Sequence, residues 1–411
     1  MPPRTPPIPL RPLGVWLFGA RGGLATTVVT GARAMARGLS GSQGLLTETD
    51  LCRGLELAPV AKLVFGGHEV RNGTLAQSAA EIHERSGTLS PELVKPLRAD
   101  LKKVDRATKR GCLTNAGKTI TSLSDPDRHD REPLRAQLDR ITRDMLAFLK
   151  ANRLQRMVCV NLTSTEPKLE LGKAHQSLRE LDRAIDANRT SQVRPSTLYA
   201  YAAASLGLPY VHFTPSNSAL VPAVRELFER NGAPYVGCDG KTGETLVKSA
   251  LAPMFKYRNL KVLTWQGYNI LGDRDGAVLS QPENKQSKVA TKDALLPQIL
   301  GYPLHTHVGI DYVPSLHDWK TAWDFVHFEG FLGTRMSMQF TWQGNDSILA
   351  APLVLDLVRL ADLAQRTGVR GPLHQLACFF KQPIGTGEHD LHRQWHMLVR
   401  WLEETRAAQP R

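Results

Sequence analysis

The chain has 411 residues, 42% of them hydrophobic and 22% charged, with a formal net charge of +13. This is the composition of a soluble globular protein too long for one ordinary core, so two domains are expected. The five cysteines, Cys52, Cys112, Cys159, Cys238 and Cys378, are scattered without a C-x-x-C pair, which argues against a disulfide framework or a zinc site, and the positive residues are spread out with no RNA-binding or zinc-finger signature, so the charge suits a small anionic substrate better than nucleic acid.

The leading stretch MPPRTPPIPLRPL lacks the apolar core of a signal peptide, and no run of about 18 apolar residues occurs anywhere. A proline-stiffened arm of a cytoplasmic protein, with no membrane partner, is the expectation. Next comes LGVWLFGARGGLATTVVTGARAMARG. Leu13–Phe18 reads as a strand, Gly19, Gly22 and Gly23 as a turn, and the alanine-rich continuation as a helix, the layout of a first dinucleotide-binding βα unit. Glycines let the backbone approach a pyrophosphate, which the amide N–H groups of a helix start then hold. The spacing is G-x-x-G-G and not G-x-G-x-x-G, so a plain tight turn is the competing reading. For the acidic residue that faces the adenosine ribose, Glu48 and Asp50 lie near the expected distance but in a polar stretch, whereas Glu69 in AKLVFGGHEV ends a better strand and is preferred.

Residues 85–130 are charged and turn-rich, as in a peripheral insertion. Leu134, Leu138, Ile141, Met145 and Phe148 then recur at helical spacing. In RMVCVNLTSTEP, Met157–Leu162 reads as a buried parallel strand, with Thr163, Ser164, Thr165 and Glu166 at its carboxyl end, where open α/β sheets bind ligands. The helix TLYAYAAASLG and the strand YVHFTPS continue the alternation. From about Val236 a glycine-rich turn feeds a helix in VGCDGKTGETLVKSALAPMF, and the strand KVLTWQGYNILGDRDG ends in a polar loop. SKVATKDALLPQILG follows, with Lys288 and Lys292 four apart. On a helix those ammonium groups share a face and repel by about 0.2–0.5 kcal/mol, so either water solvates both or an anion sits between them. His305 and His307 in HTHVGIDY alternate across a strand and read as structural, and no metal is expected. WDFVHFEGFLGTRMSMQFTWQG alternates over strand lengths, SILAAPLVLDLVRLADLA is an apolar helix that returns the chain to the first domain or an interface, and HRQWHMLVRWLEE is a packing helix.

In order and spacing, GARGGLATT, FGGHEV, NLTSTEP, PSTLYAYAAASLGLPYVHFTPSNS, GCDGKTGET, GYNILGDRDG, SKVATK, HDWK and FFKQP resemble the inositol-phosphate synthase family over most of the chain, most closely from Arg194 to Lys381. The resemblance implies a Rossmann-type doubly wound parallel sheet with an inserted α+β domain. Residues 1–240 would bind NAD, 241–350 would carry catalysis and oligomerisation, and 351–411 would return to the first domain of a homotetramer. It places the cofactor on Gly19, Ala20, Arg21, Gly22, Gly23, Leu24 and Ala25, with Thr163, Ser164, Asp239, Asn269 and Asp275 nearby. It implies catalytic roles for Lys288, Lys292, Lys320, Lys381, Asp239 and Asp275, and substrate contacts from Lys241, Thr242, Gly243, Leu271, Asp273 and Lys292. Two positions depart from the family pattern. Arg21 stands where glycine is common, and Asp273 stands where many members have asparagine, which replaces a donor by a negative charge near a phosphate.

The implied reaction uses NAD catalytically to oxidise an opened hexose 6-phosphate, enolise it, close the ring by an intramolecular aldol step and reduce the product. Cationic donors in a water-poor pocket stabilise the oxyanions that form. Lys381 and Lys288 are assigned to the hydride-transfer and enolisation oxygens, Lys320 to the aldehyde and Lys292 to the phosphate. Glucose 6-phosphate giving inositol phosphate is the preferred reaction. A different ring, such as a five-membered one from fructose 6-phosphate, and an NAD-dependent dehydrogenase of a phosphorylated substrate are the alternatives.

Overall fold

The computed structural model describes residues 11–124, 132–272 and 295–409. Seven parallel strands form the larger sheet: β1 (Leu13–Phe18), β2 (Leu63–Glu69), β3 (Thr108–Arg110), β4 (Met157–Asn161), β5 (Tyr210–His212), β6 (Pro234–Gly237) and, after the second sheet in sequence, β11 (Gly371–Pro372). Their spatial order is β11-β6-β5-β4-β1-β2-β3. All six residues of β1 are buried, as a strand must be when helices cover both faces of a parallel sheet. On one face pack the helices Gly23–Ala36 and Asp346–Arg366, and on the other Leu134–Ala151, Pro195–Ser205 and Pro222–Arg230. The stripe predicted for Leu134–Ala151 is the face it buries. Within residues 85–130, the helix Arg98–Ala107 leads into β3, which pairs with β2 and forms the sheet edge.

The order reverses between β1 and β4. From β1 the chain winds out to β2 and β3, then crosses back to β4 and proceeds the other way. Such a switch point leaves a crevice at the carboxyl ends of the strands.

A second sheet of four strands has the order β10-β9-β7-β8, with β7 (Lys261–Leu271), β8 (His305–Tyr312), β9 (Trp319–Glu329) and β10 (Arg335–Asn345). β7 runs parallel to β8 and antiparallel to β9. The inner face carries Gly267, Asn269 and Leu271 of β7 and Ala322, Asp324 and Val326 of β9, all buried, against the helix Gly243–Tyr257. The outer face carries Tyr268, Trp323, Phe325 and His327, with neighbouring ring centroids 5.9, 6.4 and 6.3 Å apart. His305 and His307 lie exposed on β8. No helix among the described residues is long and apolar enough to cross a membrane, and no cluster of three or more potential metal ligands occurs among them.

Candidate active site

The turn after β1 is fixed by what glycine alone permits. Gly19 has φ +85°, and a Cβ there would lie 2.9 Å from the Leu162 carbonyl oxygen and 3.1 Å from the Thr163 nitrogen. The turn and the end of β4 therefore touch, which puts Thr163 beside Gly19 at the switch point, with Ser164 exposed next to it. Asn161 shapes this end of β4: its Oδ1 accepts from the Thr163 hydroxyl at 2.8 Å, and its Nδ2 donates to Thr214 at 3.2 Å. Further along, the Glu166 carboxylate accepts from the Ser196 N–H at 2.9 Å and the Ser196 hydroxyl at 2.5 Å. Burial nevertheless pushes its pKa up to about 7, against the opposing effect of those bonds.

Ala20 and Ala25 are buried, and Arg21, Gly22, Gly23 and Leu24 are half-buried. The helix Gly23–Ala36 starts on Gly22 with no side-chain cap and no acidic residue in its first turn. That leaves main-chain N–H groups and the positive end of the helix facing the crevice. Glu69 ends β2, buried, and accepts from the main-chain N–H groups of Arg21, Val70 and Arg71 at 2.7, 2.8 and 3.0 Å. It ties the glycine turn to β2.

Two other helix starts meet the first. A Cβ at Gly23 would lie 3.8 Å from Ser347 Oγ, and one at Gly243 would lie 3.6 Å from Asp346 Oδ1 and 3.5 Å from Trp342 Nε1. The helices Gly23–Ala36, Gly243–Tyr257 and Asp346–Arg366 thus bring their amino ends to one place. Gly243 has φ +54° and buries its main chain there, with Thr242 half-buried before it. Lys320, on β9, donates to Asp346 Oδ2 at 3.3 Å. Lys381 donates to Asp239 Oδ1 at 3.0 Å, while its main-chain N–H donates to the Asp239 carbonyl at 2.7 Å, so backbone and side chain both fix this amine. Leu271 and Asn269 lie buried on the inner face of β7. Asn269 is 1% exposed, and neither atom of its amide has a hydrogen-bond partner among the described residues. An unpaired buried amide costs about 1–3 kcal/mol, so it marks a place where a ligand group belongs.

Lys241, one of the expected substrate contacts, turns inward. Its amine is buried and donates to Gln394 Oε1 at 2.8 Å on the helix Leu391–Ala408, and burial pulls its pKa down to about 8. The main chain of this turn, and not the Lys241 ammonium, faces the helix starts. Lys288, Lys292, Asp273 and Asp275 lie outside the described residues.

Sequence reasoning missed Asp346 and a buried charge cluster. Lys248 Nζ lies 2.6 Å from Glu244 Oε1 and 3.3 Å from Asp324 Oδ1, and Trp265 Nε1 donates to Asp324 at 2.8 Å. Burial lowers the Lys248 pKa, but Glu244 and Asp324 outweigh it and the net shift is upward. Burial likewise raises that of Asp324. The i,i+4 spacing of Glu244 and Lys248 in TGETLVKSA was the available signal.

A family model described as myo-inositol-1-phosphate synthase, with NAD binding in its name, matches residues 13–403. The chain belongs to the myo-inositol-1-phosphate synthase family. It is 33% identical over 419 residues to inositol-3-phosphate synthase 1 of Bacteroides thetaiotaomicron, covering 95% of this chain and 94% of that protein. The inositol-3-phosphate synthase structure from Caenorhabditis elegans superposes with a TM-score of 0.87 at 22% identity, over 96% of this chain and 86% of that one. A myo-inositol-1-phosphate synthase-related protein from Thermotoga maritima gives 0.78, also at 22% identity, over 96% and 99%. At that identity the two structures speak for the fold, and the family match makes the chain an enzyme of the inositol-phosphate synthase type. The residues present fit a dinucleotide: a glycine cradle that a Cβ would fill, an uncapped helix start, and the amide of Asn269, without a partner among the described residues.

Proposed function

We propose that this family member cyclises a hexose 6-phosphate, glucose 6-phosphate in the first place, to inositol phosphate, with NAD held on Gly19–Ala25 and Thr163 and reaching Asn269. The observation that carries the reading is the meeting of three helix amino ends, with Lys320 paired to Asp346 at one of them and Lys381 to Asp239 just before another, together with a buried amide, that of Asn269, without a partner among the described residues. When bound there, NAD supplies a hydride acceptor whose reduced form returns the hydride, so the overall reaction is redox-neutral.

The protein's own groups do the rest. Main-chain N–H groups at Thr242 and Gly243 and the positive helix ends hold the phosphate dianion. Asp239 aims the Lys381 amine and Asp346 aims that of Lys320, each toward an oxygen that gains charge, as hydride leaves the carbon or as the enolate attacks the aldehyde. In this reading Lys288 works with Lys381 on enolisation and Lys292 holds phosphate, as the family resemblance implies. The aromatic outer face of the four-stranded sheet supports assembly of a homotetramer through that face.

Incubation with glucose 6-phosphate and trace NAD, with the product identified by NMR, is the test. A six-membered carbocycle without lasting NADH absorbance is expected. NADH formed in step with product would make the chain a dehydrogenase, and a carbocycle from fructose 6-phosphate alone would move the substrate. Sedimentation at micromolar concentration reports the tetramer, and a monomer would remove that part.

A further inference from the structure

At the adenosine end of the same crevice the charges do not match a plain ribose. In the Rossmann pattern an acidic residue at the end of the second strand faces the ribose 2′-hydroxyl, and an arginine nearby accommodates a 2′-phosphate. Glu69 holds that position, yet its carboxylate takes three main-chain N–H groups of the turn and the loop behind it. Asp105, the other carboxylate here, accepts from Arg21 Nε at 3.1 Å and from the Leu75 N–H at 3.2 Å. Three arginines flank these two carboxylates on neighbouring elements. Arg21 belongs to the glycine turn, Arg71 follows β2, and Arg110 is the cross-strand neighbour of Glu69 on β3.

Arg71 closes over the turn. Its Nη2 donates to the Arg21 carbonyl, while Arg21 Nη1 donates to the Arg71 carbonyl at 3.4 Å. Arg71 is half-buried, and no carboxylate among the described residues forms an ion pair with it. Its remaining N–H groups and its whole charge stay available at the mouth of the adenosine site.

We infer that this enzyme accepts the 2′-phosphorylated dinucleotide as well as NAD, with Arg71 as the group that meets the 2′-phosphate. The inference rests on the dinucleotide reading above. A phosphate dianion needs a charge-assisted, bidentate partner to offset its desolvation, and Arg71 is the one guanidinium of the three placed after β2 where the 2′ position projects.

Binding of NADH and NADPH to the purified full chain, followed by nicotinamide fluorescence, tests this without turnover. NADPH is expected to bind within about tenfold of NADH, and Arg71→Ala to weaken NADPH by about tenfold or more while leaving NADH within about twofold. Arg71→Lys should recover part of the NADPH affinity, because a point charge remains but the fork is lost. NADPH bound more than about a hundredfold more weakly than NADH by the unaltered chain overturns the inference and leaves the proposed function standing. Equal loss of both ligands in Arg71→Ala, with Arg71→Lys behaving the same way, reduces Arg71 to a clasp on the turn and also overturns it. Failure of either reduced dinucleotide to bind sinks this inference together with the reading beneath it.

Discussion

The two sheets solve the same packing problem with opposite materials. In the parallel sheet Gly67 sits where a Cβ would come 2.0 Å from the Leu17 carbonyl oxygen, so strand meets strand through bare backbone inside an apolar core. In the four-stranded sheet Gly267 sits where a Cβ would come 2.5 Å from Glu244 Oε1, 2.7 Å from Lys248 Nζ and 3.0 Å from Asp324 Oδ1. There the glycine makes room for a buried ion cluster against the helix Gly243–Tyr257, whose amino end borders the crevice. The first sheet is held by burial of apolar surface, which is tolerant of detail. The second is held beneath the crevice by charges that must find one another once desolvated. Rigid apolar scaffolding lies on one wall of the site, and an electrostatically pinned helix on the other.

The contrast can be broken most forcefully at Gly67. Gly67→Ala forces a strand backbone to move, and a loss of about 3 kcal/mol or more in unfolding free energy is expected, at the upper end for overpacking. A urea midpoint close to that of the unaltered chain would show that the strands have slack. Lys320→Ala comes next, and acts on chemistry. Its partner Asp346 is partly exposed, so stability should change by less than about 1 kcal/mol. Removing a donor to a developing oxyanion should lower kcat by about a hundred- to a thousandfold with dinucleotide affinity kept. Retention of kcat would put Lys320 outside the reaction. Gly267→Ala displaces side-chain ends and not backbone, so about 1–3 kcal/mol is expected, with KM for the sugar phosphate rising more than kcat falls, because the displaced helix carries Thr242 and Gly243. Equal effects of the two glycine substitutions on stability alone would erase the distinction between the sheets.

Legibility followed the same division. Leu13–Phe18 is an apolar run before a glycine turn and Met157–Asn161 a mostly apolar run after a helix, and their strand character follows from local pattern. β3, by contrast, is only Thr-Lys-Arg, and becomes a strand because Gly67–Glu69 offer it an edge. At the site, the glycine turn and the strand-end position of Thr163 were readable because each is set within a few residues of sequence. The inward turn of Lys241 was not, since Gln394 lies 153 residues away. Nor was the pairing of Lys320 with Asp346, which the register of β9 on β10 creates by placing Lys320 opposite Gly344. Charge pairs formed by tertiary contact leave little trace in periodicity, because their partners answer to three-dimensional register and not to spacing along the chain.

The smallest effect tests the apolar wall itself, through Glu166, a carboxylate buried in it beside the crevice. Glu166 has its pKa raised from 4.5 to about 7, chiefly by burial. Between those values the folded chain holds a proton that the unfolded chain has released, so the contribution of this group to stability falls as pH rises through that window. Above pH 7 the buried carboxylate is charged and its desolvation cost is fully present; below about pH 4.5 the cost is absent. Glu166→Gln keeps an acceptor for the Ser196 N–H and turns the second contact into a donor to the Ser196 hydroxyl, without charge. Relative to the unaltered chain, the variant should gain about 1–3 kcal/mol on going from pH 5 to pH 8, read as the shift in urea midpoint at each pH. Its NADH affinity should stay within about twofold, because Asn161 and not Glu166 holds Thr163 beside Gly19. If the difference between the two proteins is the same at both pH values, Glu166 is ionised throughout, and this wall of the crevice tolerates charge as readily as the wall that carries Lys248.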